Sequence, residues 1–379
     1  MMRMLLSLIT CLAVEVDVAD DAQLRKALAE ARPGTTIRIA PGRYAGGGFV
    51  RELRGEPNAP ILIRGADPKR PPVIQGGTFG LQLSRVAHVE LRDLIVAGAS
   101  DNGINIDDGG ELETPSHHVV LRNLTIRDIG PEGNHDGVKL SGLADFRVEG
   151  CTLERWGANG SGIDMVGCRR GEVVDSTFRH GDEVGSSGVQ MKGGTRDVAV
   201  RRCRFEHAGQ RAVNLGGSTG LPFFRPKPEG FEGKDLLVED CTFVGSASPV
   251  AFVGVDGATV RRNTLYRPRY WAFRILQENR SPGFVLSRGG KFVDNLIVYR
   301  SDELRTAVNV GSGAAPETFT LAGNAWYALD DPAHSRPKLP VPEAGGVYGV
   351  EPHFVDAAKG DLRLDPKLPD PRASRRPAE

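Results

Sequence analysis

The chain has 379 residues with 48 basic and 48 acidic side chains, so its formal net charge is zero at neutral pH. It therefore lacks the basic excess with which nucleic-acid-binding domains hold phosphates. The 48 glycines and the aromatic content of only 6% are atypical of a mainly helical protein and favour a chain that turns often around a narrow aliphatic core.

The first thirteen residues resemble a short signal peptide. They contain one Arg, then an apolar run, then Cys11 and Ala13 at positions suited to cleavage. The alternative is an N-terminal strand of the domain. If the segment is a signal peptide, the protein is secreted or periplasmic, which is what we expect. The apolar run is too short to cross a bilayer, so we expect no membrane span.

Residues 20–31 have the pattern of an amphipathic helix with Asp20 or Asp21 as its N-cap, and strands are predicted at 35–40 and 60–65. The repeats that follow build a solenoid, whose open end needs a cap. This helix is the candidate for that cap.

From residue 91 onward, a five-residue phrase recurs along the chain. Its central residues are Asp93, Leu124, Cys151, Ser176, Cys203, Cys241, Asn263 and Asn295. The steps between them range from 22 to 38 residues, a period typical of solenoids. The units are rich in Val, Ile, Thr and Phe and are separated by Gly, Asn and Asp, which predicts short strands. We therefore predict an all-β, single-stranded parallel β-helix over 14–364, as one domain, with a disordered tail at 365–379.

Three cysteines share the register of this repeat and should stack in a column. Cys151 and Cys203 are separated by the coil of Ser176, or about two strand spacings of ~4.8 Å, which is too far for a disulfide. No Cys-x-x-Cys or Cys/His spacing indicates zinc. We interpret these cysteines, and Cys168 with them, as structural.

A second strand in each coil starts from a small residue, and its second and fourth residues are apolar. These fill the core, so the third residues face outward. We call the third residues the groove row: Asn105, Lys139, Asp164, Gln190, Asn214, Ala251, Arg274 and Asn309. The row mixes amides with charges, which suits sugar hydroxyls and carboxylates. The alternative is a solvated face with a weak ion pair between Lys139 and Asp164. We favour a groove, walled by the long loop at 216–235.

Several stretches of the chain resemble the pectate-lyase-like right-handed parallel β-helix superfamily. They are APGRYAGGGFV with NAPILIRG near the start, the ending GVEPHFVDAAKGDLRL, and the Asn and Cys columns at a turn. The resemblance covers nearly the whole chain and implies a right-handed coil and action on acidic polysaccharides. It specifies the reaction less well, because this fold hosts lyases, hydrolases, epimerases and phage adhesins.

The chondroitinase B and alginate lyase family is the nearest specific comparison. Its members carry a Lys base on one coil and an Arg on the next, beside a calcium ion held by glutamates. GVQMKGG supplies Lys192 at the matching strand end, and the next coil carries Arg211, although Asn214 stands at the matching position. Gly185 and Ser187 replace the expected glutamates, so the chain departs from the family's calcium site.

Pectin hydrolases of the same superfamily use aspartates around an Asn-Thr-Asp motif and an adjacent pair of aspartates. The motif NHDG at 134–137 is similar to the first, with Asp164 one coil on, but the Arg-x-Lys signature of those enzymes is missing. His135 and Asp136 are candidates here. The alternative is that Asn134 and Asp136 merely cap a turn.

β-Elimination at a uronate requires a neutralised carboxylate, a base for the acidified C5 proton and a proton donor for the leaving oxygen. We predict Lys192 or Lys139 as the base, which requires a lowered pKa, and Arg211 or Arg274 as the carboxylate ligand. His135 is the donor or an alternative base. The candidate catalytic residues are Lys192, Arg211, His135 and Asp164. The candidate substrate-binding residues are Asn105, Lys139, Gln190, Asn214 and Arg274.

Two other functions stay open beside a lyase acting on a uronic-acid polymer. A hydrolase needs two carboxyl groups flanking the bond, for which Asp164 and Asp136 are the candidates. A carbohydrate-binding or adhesion solenoid would use aromatic platforms, for which the candidates are Trp156, Phe223, Phe224, Tyr270 and Trp271.

The sequence requires no cofactor, and one acidic segment is a candidate Ca²⁺ site. Its residues are Asp107, Asp108, Glu111 and Glu113. We favour an ordinary acidic surface loop there. The expected partner is an acidic polysaccharide and not a nucleic acid, and we expect a monomer.

Overall fold

The chain winds into successive coils, each of which adds strands to parallel sheets running along the axis. The structure is a computed structural model that describes residues 14–181, 185–304 and 306–372. The predicted signal segment at 1–13 and the end of the predicted tail, 373–379, lie outside the described residues. None of the helices in the described residues has the length and apolar composition needed to cross a membrane.

Three parallel sheets make up the described part of the solenoid. The thirteen-stranded sheet contains Val14–Val18, Thr35–Ile39, Ile61–Gly65, Ala87–Arg92, Ser116–Arg122, Leu143–Glu149, Arg169–Val174, Thr195–Arg201, Gly233–Glu239, Val255–Arg261, Arg288–Val293, Thr320–Ala322 and Glu343–Ala344. The ten-stranded sheet, which we call the groove sheet, contains Gly48–Arg51, Leu81–Ser84, Ile104–Asp107, Val138–Ser141, Ser161–Val166, Ser187–Lys192, Arg211–Gly216, Ser248–Val253, Phe273–Leu276 and Val308–Val310. The twelve-stranded sheet contains Arg43–Ala45, Val73–Gln75, Ile95–Ala97, Thr125–Arg127, Thr152–Glu154, Thr177–Arg179, Arg204–Glu206, Thr242–Val244, Thr264–Tyr266, Leu296–Tyr299, Ala325–Ala328 and Val347–Tyr348.

Short elements complete the described residues. Phe354–Asp356 pairs antiparallel with Asp361–Leu364. The 3₁₀ turns are Leu221–Phe223, Pro316–Thr318, Pro332–His334 and Ala357–Lys359. The α-helix runs over Asp21–Glu30, and the side chain of its N-cap Asp20 accepts a hydrogen bond from the Gln23 amide at 2.8 Å. Its buried face packs into the same core as the first strands, as predicted for a cap.

The recurring phrase marks the corner between the thirteen-stranded and the twelve-stranded sheets. Cys151, Cys203 and Cys241 are buried, free and aligned there, and the Cys203 amide donates to the Cys241 sulphur at 3.4 Å. The residue before each column position has a positive φ, for example 52° at Asp175, which explains the Asp, Asn and Gly residues of the phrase. In the first of the eight recurring phrases the column residue is Leu94 and not Asp93 as predicted. The Thr125 amide donates to the Leu94 carbonyl, just as the Thr152 amide donates to the carbonyl of the next column residue, Leu124.

The core is a continuous stack of the inward residues of all three sheets. Ile163, Met165, Val189 and Met191 from the groove sheet are fully buried, in agreement with the predicted alternation. Aromatic rings stack at regular intervals, with the centroids of successive Phe178, Phe205 and Phe243 rings 4.7 and 4.8 Å apart. This column of contacts fixes the level of each coil and hence the spacing of the outward side chains.

Candidate active site

The groove row lies in a single line across the groove sheet. The paired residues are Asn105 with Lys139, Lys139 with Asp164, Asp164 with Gln190, Gln190 with Asn214, Asn214 with Ala251, Ala251 with Arg274, and Arg274 with Asn309. The predicted register is therefore confirmed at every step. Side chains one coil apart on this row are close enough to interact directly.

Four charged side chains converge at the centre of the row. Lys139 and Lys192 both contact the same oxygen of Asp164, Lys192 at 3.2 Å. The Lys139 ammonium also leans back toward the start of its strand and lies 3.4 Å from the carboxyl group of Asp136. Asp136 and Asp164 are only 2% and 1% exposed, because the two lysines cover Asp164 and the corner of the coil covers Asp136. We call these four residues the central cluster.

The two carboxyl groups of the central cluster have opposite protonation behaviour. Burial and the neighbouring Asp164 charge raise the pKa of Asp136 to about 7. Burial also acts to raise the pKa of Asp164, but the ammonium groups of Lys192 and Lys139 outweigh it and hold that pKa below its ordinary value. Asp164 is therefore the ionised member, and its second oxygen, Oδ1, is buried with no hydrogen-bond partner among the residues that the structure describes.

Lys139 does not have the properties of a neutral base. Burial acts to lower its pKa, but the attraction of Asp164 and Asp136 outweighs burial and raises the pKa above its ordinary value. The neighbour of Lys192 at 3.2 Å is likewise an anion, not a cation. The geometry therefore does not supply the neighbouring positive charge that would lower the pKa of a lysine base.

His135 lies at the corner that precedes the groove strand of Lys139. Its Nδ1 atom is 3.0 Å from Asp101, and the ring is 30% exposed. The next residue, Asp136, donates its amide to the side chain of Asn102 at 2.7 Å. Asp101 was missed in the sequence, although it stands two residues before Gly103 just as His135 stands two residues before Gly137.

Arg211 lies far from Lys192 along the groove sheet. Lys192 ends its strand and Arg211 begins the next, while Gln190 pairs with Asn214 between them. The offset is about five residues, or roughly 16 Å at about 3.3 Å per residue. The predicted pairing of Lys192 as base with Arg211 as carboxylate ligand is therefore not met, because being on the next coil does not place two residues at the same level along their strands.

Arg211 instead belongs to a second group of polar residues further along the row. Its guanidinium donates to Glu278 at 2.5 Å and to the side chain of Asn214 at 3.4 Å. Arg274 stacks over the ring of Trp271 at 4.3 Å and donates to Asn309 at 3.0 Å. Burial and the nearby Arg211 charge lower the pKa of Arg274 to about 10.

The remaining candidate binding residues flank the central cluster on both sides. Gln190 accepts a hydrogen bond from the Ser161 hydroxyl at 3.3 Å, and the Asn105 amide donates to Asp107 at 3.1 Å. Among the candidate platforms, Phe223 and Tyr270 are 67% and 53% exposed. Trp156 and Phe224 are buried, and Trp271 is partly covered by Arg274.

Side chains of the acidic segment, the candidate Ca²⁺ site of the sequence, bind other groups of the protein. Both oxygens of Asp108 accept from Arg225 at 2.6 Å, and Asp107 accepts from the Ser84 hydroxyl at 2.6 Å. Glu111 faces Arg85 at 3.4 Å. Within the described residues these carboxylates form no cluster of the kind that holds a metal ion.

The long loop at 216–235 lines the ends of the groove strands, as predicted for a wall. Arg225 reaches back to Asp108, and the buried Glu232 fixes the base of the loop. Glu232 accepts from the amides of Gly193 and Thr219 at 3.0 and 2.8 Å, from the Thr219 hydroxyl at 2.7 Å and from Asn279 at 2.8 Å. Gly193 directly follows Lys192, so this network holds the strand end that carries the lysine.

Comparison with known proteins supports the architecture. A family model described as the right-handed β-helix region matches residues 102–221. No curated protein sequence matches the chain significantly. An alginate lyase from Paenibacillus sp. has a similar structure, with 19% identity and a TM-score of 0.59 over 80% of this chain and 98% of that one.

Two further solved structures are similar. The A-module of the mannuronan C-5 epimerase AlgE4 from Azotobacter vinelandii shares 12% identity and has a TM-score of 0.53, over 89% of this chain and 92% of that one. A variant of the PL6-family alginate lyase AlyGC shares 14% identity and has a TM-score of 0.50, over 93% of this chain and 56% of that one. At these identities the matches show the fold, a right-handed parallel β-helix, and that predicted fold is confirmed.

Proposed function

We propose that the protein is a polysaccharide lyase that cleaves a uronic-acid polymer by β-elimination in the groove. The observation that carries this proposal is the convergence of Lys139 and Lys192 on Asp164, whose buried Oδ1 atom has no partner within the described part of the chain. The similar fold of an alginate lyase supports the same class of substrate.

The charge of the central cluster favours an anionic ligand. Two ammonium groups face one ionised carboxylate, and the second carboxyl group, on Asp136, is neutral below about pH 7. The cluster therefore carries an excess positive charge in a half-buried setting, where an ion pair with a substrate carboxylate is weakly screened. Lys139 and Lys192 would neutralise the uronate carboxylate and thereby acidify its C5 proton.

Proton transfer is assigned to His135. Asp101 on its Nδ1 atom fixes the ring orientation and leaves Nε2 to remove the C5 proton. The electron pair of the C5–H bond forms the C4–C5 double bond as the C4–O bond breaks. Water in the open groove supplies a proton to the departing oxygen.

A hydrolase is the second candidate, because the pKa values of Asp136 and Asp164 are displaced in opposite directions. The geometry argues against it. Both carboxyl groups contact the same Lys139 ammonium, which therefore occupies the space where a glycosidic oxygen would have to lie between them.

The products formed from a panel of polymers test the proposal. The protein would be incubated with polymannuronate, polyguluronate, polygalacturonate and chondroitin, with neutral dextran as the control. A lyase produces ultraviolet absorbance from the unsaturated end in step with new reducing ends. Reducing ends without that absorbance would support the hydrolase instead, and retention of a polymer in affinity electrophoresis without any cleavage would support a binding solenoid.

A further inference from the structure

Three histidines meet on the thirteen-stranded sheet, on a different sheet from the groove. One ring nitrogen from each of His88, His117 and His118 lies within 4.8 Å of the others. The Nδ1 atoms of His117 and His118 are 2.9 Å apart, and the rings of His88 and His118 stack with centroids 4.4 Å apart. We call them the histidine cluster.

The backbone explains why these rings converge. In the strand Ser116–Arg122, His118 has a φ of 52°, which interrupts the alternation so that His117 and His118 both lie on the outer face between the buried Ser116 and Val119. His117 pairs with the small residue Ala87, and Val119 pairs with Val89, so His88 stands level with His118. His88 has a φ of 51° as well. The same positive φ recurs at the equivalent residues of the following coils, for example Asp145 and Arg170, so it is a regular feature of this corner of the solenoid.

We propose that His88, His117 and His118 form a binding site for a divalent transition-metal ion of the Zn²⁺ type. Three imidazoles are a donor set that suits this class of ion and leaves a fourth position for water. At a Zn–N distance of about 2.1 Å with tetrahedral angles, bound nitrogens lie roughly 3.4 Å apart. The present separations, from 2.9 Å to at most 4.8 Å, bracket that value, and a shared ion requires the His88 and His118 rings to rotate out of their stack.

The groups around the histidine cluster are compatible with a cation. The carboxylate of Asp145 is near enough to interact with His117 and His118, and Arg170 holds it through two hydrogen bonds of 2.7 and 2.6 Å. Arg54 is the cation that faces His117.

Calorimetric titration of untagged, chelator-treated protein with Zn²⁺ tests this site, and Co²⁺ gives a visible absorption band that reports the ligand geometry. We expect one ion per chain, a rise in the thermal midpoint with Zn²⁺, and loss of the one-site heat in His88→Ala, His117→Ala and His118→Ala. His353→Ala is the matched control and should bind like the parent protein.

Two results would overturn the proposal. One is the absence of one-site binding in the parent protein. The other is binding that all three cluster variants retain, which would indicate adventitious metal elsewhere on the surface. Because His88→Gln, His117→Gln and His118→Gln keep the size and polarity of the side chain, they separate loss of ligation from loss of folding. None of these readouts depends on the proposed lyase activity.

Discussion

The buried carboxyl group of Asp136 should make the stability of the protein depend on pH in a defined direction. Its pKa is about 7 in the folded protein, against an ordinary value of 3.8. Between these values the folded protein keeps a proton that the unfolded chain releases. The stability contributed by the protonated group is therefore fully present below about pH 4 and is lost as the pH rises through about 7. At about 1.4 kcal/mol per unit of pKa, the difference corresponds to roughly 4 kcal/mol.

Asp136→Asn removes this titration while keeping an acceptor for the Ser161 amide, which donates to Asp136 at 2.7 Å. Denaturant unfolding from about pH 4 to about pH 8 would compare the variant with the parent. We expect the stability of the variant relative to the parent to rise across this window by an amount on the order of 4 kcal/mol.

The matched control for this experiment is Asp175→Asn. The hydrogen bond from Arg202 lowers the pKa of Asp175, so its contribution to stability is lost only as the pH falls below its ordinary value. Its difference from the parent should be flat from about pH 5 to about pH 8. A flat difference for Asp136→Asn over the same window would refute the burial argument for the central cluster.

Two further predictions concern the framework that supports the site. Asn295 is fully buried, accepts hydrogen bonds from the amide and side chain of Asn263, and donates one to Asn324. Asn295→Ala should therefore lower the free energy of unfolding by about 3 kcal/mol or more in a denaturant titration. Asn58→Ala, at an exposed position, should change it by about zero. A cost for Asn295→Ala as small as that of Asn58→Ala would contradict a stabilising role for the hydrogen bonds among Asn263, Asn295 and Asn324. Glu232→Gln replaces a carboxylate oxygen with an amide NH₂ group, which cannot accept the hydrogen bonds that Thr219 and Asn279 now donate. Chymotrypsin should therefore cut the loop at Phe223 faster in this variant. The control is Glu229→Gln, which changes the same loop. Equal cleavage of the two variants would show that Glu232 does not hold the loop.

The fold was predictable because the repeat has two independent periodicities. Alternation along a strand assigns each residue to the core or the surface, and the small residue that starts each groove strand sets the register between coils. Both signals are local and recur in every coil, so the whole groove row from Asn105 to Asn309 was placed correctly. The one misplaced column residue is Asp93. The true column residue there, Leu94, is apolar and so does not resemble the Cys, Ser and Asn residues that mark the column in later coils.

The chemistry of the site was less predictable, because it depends on how far side chains reach and on what covers them. Lys139 bends back to Asp136, and the sequence does not specify that direction. The covering of Asp164 by two lysines decides its ionisation, which requires three-dimensional proximity. Partners such as Glu278 for Arg211 come from outside the repeat, where no register exists to place them.

We predict that both lysines of the central cluster are required for elimination. The decisive measurement is the initial rate of unsaturated-product formation, on whichever uronate polymer the panel identifies, by Lys139→Met and Lys192→Met. Lys291→Met, at an exposed lysine of the thirteen-stranded sheet, is the control. Each variant would first be shown to unfold cooperatively like the parent. We predict that both cluster variants lose product formation and that Lys291→Met retains it. Parent-like rates in Lys139→Met and Lys192→Met would contradict the central claim that these two ammonium groups bind and activate the uronate.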